Sequence, residues 1–101
     1  MINIRTAFVS GTGTFVDAYS SVTVANTRVR AINIAPASQN GRGQVIITGT
    51  TTTPFGETVG NRIKLAVNDR LYFSLPDNGV RFPGKIIVSA AGSIGTTIYY
   101  G

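Results

Sequence analysis

The sequence predicts an all-β protein, an antiparallel sandwich or small barrel of about eight short strands forming one domain over residues 1–101. Two observations carry this. Residues of one parity recur along the last third of the chain, at Leu71, Phe73 and Leu75, at Ile86, Val88 and Ala90, and at Ile94, Thr96, Ile98 and Tyr100. Successive strand side chains leave opposite faces, so a period of two marks half-buried strands and fits no helix. The 12 Gly and 4 Pro are spread between these runs among many Thr and Ser, which is the composition of tight turns.

Taken in order, Ile2, Ile4 and Thr6 alternate with Asn3, Arg5 and Ala7 in a first strand that reaches Phe8 or Val9. Residues 10–14 break it. Gly11-Thr12-Gly13 lacks the Gly-Lys-Ser/Thr and the following helix of a phosphate-binding loop, so it is read as a turn. After an Asp17-Ala18-Tyr19-Ser20 turn, in which Tyr19 is expected half-buried, residues 21–25 are predicted as a short, irregular strand. Residues 28–35 form the longest β run. Arg28 and Arg30 share the parity of Ile32 and Ile34, so one face would begin charged and end apolar. Either a bulge exchanges the faces, which is the preferred reading, or the apolar end meets another sheet or subunit.

A polar loop follows over residues 36–43, with Asn40-Gly41 as a hairpin signal. Residues 44–48, apolar on both faces around Ile46, suit a central strand. Residues 50–60 carry four consecutive Thr and then Pro54-Phe55-Gly56. They read as an exposed loop, either a contact tip or a solvated connector, and Phe55 is the large apolar residue there that a partner would bury. In residues 62–67, Ile63, Leu65 and Val67 point inward and Arg62 and Lys64 outward. Asn68-Asp69 turns into the strand 70–75, Pro76-Asp77-Asn78-Gly79 makes a corner leading into Val80-Arg81-Phe82, and strands at 85–90 and 93–100 complete the chain. Tyr99 and Tyr100 place one ring on each face of the last strand, one for the core and one for an interface.

The chain has neither Cys nor His. That removes disulfides, thiolate metal sites, a Cys nucleophile and the usual base near neutral pH. The four acids, Asp17, Glu57, Asp69 and Asp77, are scattered through turns. A non-enzymatic protein without cofactor or metal is expected. Its net charge of +5 favours an acidic partner surface or a polyanion, and the Arg-rich set suits bidentate contacts to carboxylate or phosphate. Arg5, Arg28, Arg30, Arg62, Lys64, Arg70, Arg81 and Lys85 would form a basic stripe if several strands exposed one face. With Tyr72, Tyr99, Tyr100 or Phe55 nearby, that stripe would look like a single-strand binding groove. No local run interleaves basic and aromatic residues, so nucleic acid is not the expected partner. No run reaches the length of a membrane span, and the N-terminus lacks a signal-peptide core, so a soluble protein made in the cytoplasm is expected.

Leu75-Pro76, Gly79-Val80 and Phe82, then Gly84-Lys85-Ile86-Ile87-Val88, a small turn, and Thr97-Ile98-Tyr99-Tyr100 together resemble small β-sandwich structural proteins of tailed bacteriophages. The Arg-bearing strand from Arg28 to Ile34 and the apolar strand and Gly/Thr loop from Val45 to Thr53 are similar to the middle of that group. The resemblance covers roughly residues 27 to 100. It implies a jelly-roll-like antiparallel β-sandwich in the virion, on the capsid exterior or at the tail. The expected function is a capsid decoration or cement protein that binds across subunits of the phage major capsid protein, itself a homo-oligomer, made in the host cytoplasm. The expected contact residues are Arg28, Arg30, Arg42, Phe55, Arg62, Arg81 and Tyr99. The alternatives are a tail or neck component, a basic polyanion-binding module, or a carbohydrate-binding sandwich, against which the absence of Trp counts.

Overall fold

A computed structural model describes residues 4–36, 43–67, 70–76, 79–90 and 94–101. Among these residues eight strands run in chain order: β1 (Arg5–Ser10), β2 (Gly13–Thr14), β3 (Ala25–Pro36), β4 (Gly43–Thr52), β5 (Thr58–Val67), β6 (Leu71–Ser74), β7 (Val80–Ser89) and β8 (Ile94–Tyr100). No helix occurs among the described residues. Every ladder is antiparallel, and four of them nest: β1 with β8, β2 with β7, β3 with β6, and β4 with β5. Strand β3 also takes β8 on its other edge, and β4 takes β7. The result is two layers, β1-β8-β3-β6 and β2-β7-β4-β5, one long antiparallel pair rolled on itself in the manner of a jelly roll.

The inner faces hold the core. Ile98, Ile32 and Phe73 form one ladder row of the first layer, and Val88, Ile47 and Ile63 one row of the second. Phe15 and Phe82 are fully buried with them. The inward Ile63, Leu65 and Val67 and the central position of β4 are as the alternation predicts.

The layers are joined by hydrogen bonds at one corner, where residues 25–29 of β3 pair with the first half of β7. Register slips there between Ala25 and Thr27. Asn26 adopts a left-handed φ of 51° and its Oδ1 accepts the N–H of Gly84 at 2.8 Å. Gly84 is left-handed as well, with φ 69°, and a Cβ on it would stand 2.0 Å from the carbonyl oxygen of Thr50. Pro83 needs no ladder bond at such a bend. The strand expected over residues 85–90 therefore begins before the bend, and β7 runs from Val80 to Ser89.

Other expectations change similarly. Strand β6 and the first half of β7 lie end to end along the same edge of β3, since Ala31 faces Ser74 and Val29 faces Val80. The corner between them is present, Gly79 donating its N–H to the carbonyl of Pro76 at 2.9 Å, but the strands that it joins lie end to end and not side by side. Residues 21–24 form no strand; Thr23 makes only a bridge to Val16. Tyr19 is fully exposed, because the turn holding it bonds through Asp17 and leaves the ring no neighbour to pack on. In β1 the inward face is that of Ala7 and not of Ile4 and Phe8, both of which are exposed. The bulge in β3 is present: register shifts between Val29 and Ala31, so Arg28 points out while Ile32 and Ile34 point in. The Asn40-Gly41 and Asn68-Asp69 turns lie outside the described residues.

Candidate interaction surfaces

Two exposed features stand apart from the core. The first is the hairpin of β4 and β5, whose ten residues each pair from Gly43↔Val67 to Thr52↔Thr58. The supposed loop over residues 50–60 is mostly this ladder, because Thr is β-branched and suits a strand even when neither face is buried. The loop itself is short. Thr53 accepts the N–H of Gly56 at 2.9 Å and donates its own N–H to Glu57 at 2.7 Å. Pro54 presets φ at the second position of the turn and Gly56 supplies φ 83° at the fourth. That geometry leaves Phe55 at the apex, 91% exposed.

At its base the hairpin presses on β7. A Cβ on Gly49 would lie 2.6 Å from the Cβ of Phe82 and 3.0 Å from the Pro83 carbonyl oxygen, and Asn61 Nδ2 donates to the carbonyl of Arg81. Beyond Gly49 and Asn61, all of the hairpin's residues except Thr53 are exposed. At about 3.3 Å per residue it reaches roughly 13 Å past that contact. Strand β5 ends the second layer without a further partner among the described residues, with Arg62 and Lys64 exposed on it; charges of this kind discourage unwanted edge pairing.

The second feature is the outer face of β1-β8-β3-β6. Register places Tyr72, Asn33, Thr97 and Phe8 in one row across four strands, and Ser74, Ala31, Tyr99 and Thr6 in the next. Tyr72 and Tyr99 meet edge to face, centroids 6.1 Å apart and planes at 80°. Phe8 rests against Gly95, where a Cβ would come within 2.8 Å of its ring. Past Tyr99 the face continues into Arg28 and Arg81, which are directly opposed in the ladder and both exposed. Neither has an acidic partner among the described residues, although like charges so placed repel. The Nε of Arg30 donates to the carbonyl of Gly101 at 3.0 Å.

The expected contact residues thus divide. Arg28, Arg30, Arg81 and Tyr99 come together on the first layer, Phe55 and Arg62 sit on the hairpin, and Arg42 lies outside the described residues. Phe8 and Tyr72 were not among them. Their membership rests on register between distant strands, and the only local signal was an aromatic ring on a strand.

A depression of about 410 Å³ lies beside Ile4, Arg5, Thr6, Asp17, Tyr19 and Ser20. The carboxylate of Asp17 there is taken up by the hydroxyl of Tyr100 and by two backbone N–H groups. The Tyr100 hydrogen bond and those of Ser20 and Tyr19 hold this carboxyl well below the usual carboxylate range, so it stays ionised and acts only as an acceptor near neutral pH. No group of three or more metal-ligating side chains occurs among the described residues. No helix there is long and apolar enough to cross a membrane.

In class, the chain is a jelly-roll-like β-sandwich with its exposed aromatic and basic groups on a hairpin arm and on one sheet face. No family model, curated protein or solved structure matches it.

Proposed function

We propose that the protein is a non-enzymatic structural component of a bacteriophage virion, a decoration protein that binds across neighbouring subunits of the major capsid protein. The observation that carries this reading is the hairpin arm with Phe55 held at its apex. A locally specified turn that presents a large apolar ring to solvent gains nothing for the fold of the single chain and has its use in a contact. Arg62 and Lys64 on the same hairpin suit an acidic subunit surface. Jelly rolls commonly serve in viral shells, an analogy of fold that supports the reading without carrying it. Binding only to the assembled shell stabilises the shell by mass action.

Cosedimentation of the purified chain with capsids of tailed phages tests this. The expected result is saturable binding at a copy number set by capsid symmetry. Phe55→Ala should weaken it at least tenfold, as for a buried aromatic anchor, while leaving the melting temperature unchanged. Saturation at the copy number of a single ring would move the protein to the tail or neck. A folded chain that binds no particle would overturn the proposal.

A further inference from the structure

We infer that the outer face of β1-β8-β3-β6 is a second binding site, for single-stranded nucleic acid, in which Phe8, Tyr72 and Tyr99 stack on bases and Arg28 and Arg81 hold phosphates. Basic and aromatic residues that are scattered through the sequence are brought together here by register, the rings in two rows across β6, β3, β8 and β1 and the pair Arg28 and Arg81 past one end of them on β3 and β7. From Phe8 the ladder runs through Thr97 and Asn33 to Tyr72, and Tyr99 stands in the adjoining row next to Arg28. Stacking platforms bordered by cations are how single strands are held without regard to sequence. Between the rings lie Asn33, Thr97, Ser74 and Thr6, whose amide and hydroxyls are short donors and acceptors for base edges and sugars.

Charge selects an anionic occupant. Arg28 and Arg81 oppose one another in the ladder with no acid beside them among the described residues, and an arriving phosphate would relieve that repulsion. Size argues against a folded protein. The face is three strand spacings wide, about 14 Å, and about 20 Å long from Arg28 to Ala35, so its roughly 300 Å² is well under the ~800 Å² that a stable protein partner covers. Ring geometry argues against a glycan. Tyr72 and Tyr99 are nearly perpendicular and share no plane on which a sugar chain could lie, whereas the bases of a single strand turn independently about its backbone.

Fluorescence anisotropy of a labelled oligothymidylate of about 10 nucleotides, within the usual footprint of such sites, tests the inference on the purified chain. Binding at low salt should weaken as salt rises, and an excess of duplex of the same length should compete at least tenfold less well than unlabelled single strand. Tyr72→Ala combined with Tyr99→Ala should lower affinity at least tenfold. Arg28→Gln combined with Arg81→Gln should flatten the log–log salt slope by about 1.4, the contribution of two phosphates on a single strand. Lys85→Gln removes a charge from the same strand as Arg81 but beyond the bend, and should change affinity less than twofold. Circular dichroism melts of each variant separate lost binding from lost folding. Absence of binding by the folded chain, equal affinity for duplex, or affinity that ignores the tyrosines would overturn the inference. The last of these would reduce the binding to the overall charge of the chain. Capsid binding is a separate measurement and can fail or succeed independently.

Discussion

Tyr100 and Asp17 form a buried pair that ties the turn at residues 17–20 to the end of β8. Each changes what the other does in water. Burial first and then the Asp17 carboxylate push the Tyr100 hydroxyl up to about 12, with Arg5, its ladder partner, pulling the other way. The Asp17 carboxyl is held low by the same hydroxyl and by two backbone N–H groups. A depressed carboxyl stabilises the fold above its unfolded value, about 3.9, and that stabilisation is lost as pH falls through the folded value. A raised hydroxyl stabilises the fold below its unfolded value, about 10, and the benefit declines as pH rises toward 12. Tyr100→Phe should therefore melt below the wild type by a margin that is widest between about pH 4 and pH 10 and narrows at both ends. Melting curves across pH, followed by circular dichroism, would show it; a margin independent of pH would mean that only packing was lost.

Among the elements, β7 is the one on which the layers depend, because its bend lets one strand serve both. Gly84→Ala should be destabilising by about 2 kcal/mol or more, since left-handed strain at a non-glycine residue adds to contact with the Thr50 carbonyl. Urea denaturation would measure this. Much of the fold could be read in the sequence where one face of a strand is buried. The alternation in β5, in the second half of β7 and in β8 predicted their inward sides, and the parity conflict at Arg28 and Arg30 signalled the bulge. Where neither face is buried no period exists, so the outer hairpin looked like a loop. Pro83-Gly84 looked like a break because the sequence does not show that another strand bends opposite it. The candidate surface was legible as residue types and not as a place. Arg28, Arg81, Tyr72 and Tyr99 could be grouped only on the condition that several strands exposed one face, and that condition, like the place of Phe8, depends on which strands neighbour one another.

At the scale of the molecule, the nested ladders set the order in which the chain can assemble. The β4–β5 pair closes across the short turn at Thr53, whereas Ala7 and Ile98 are partners from nearly opposite ends of the sequence. Closing a loop of about 90 residues before the others costs about 2.6 kcal/mol more entropy than closing one of about 5. Folding should start at the hairpin and proceed outward, with β1 and β8 pairing last and on the slow timescale of non-local β topologies. In stopped-flow chevrons Ile47→Val, a change of about 1 kcal/mol in β4, should mainly slow folding, and Ile98→Val in β8 should mainly speed unfolding. The strands that carry Phe8 and Tyr99 would then also be the first to separate, so the native state's lifetime is governed at the seam between β1 and β8.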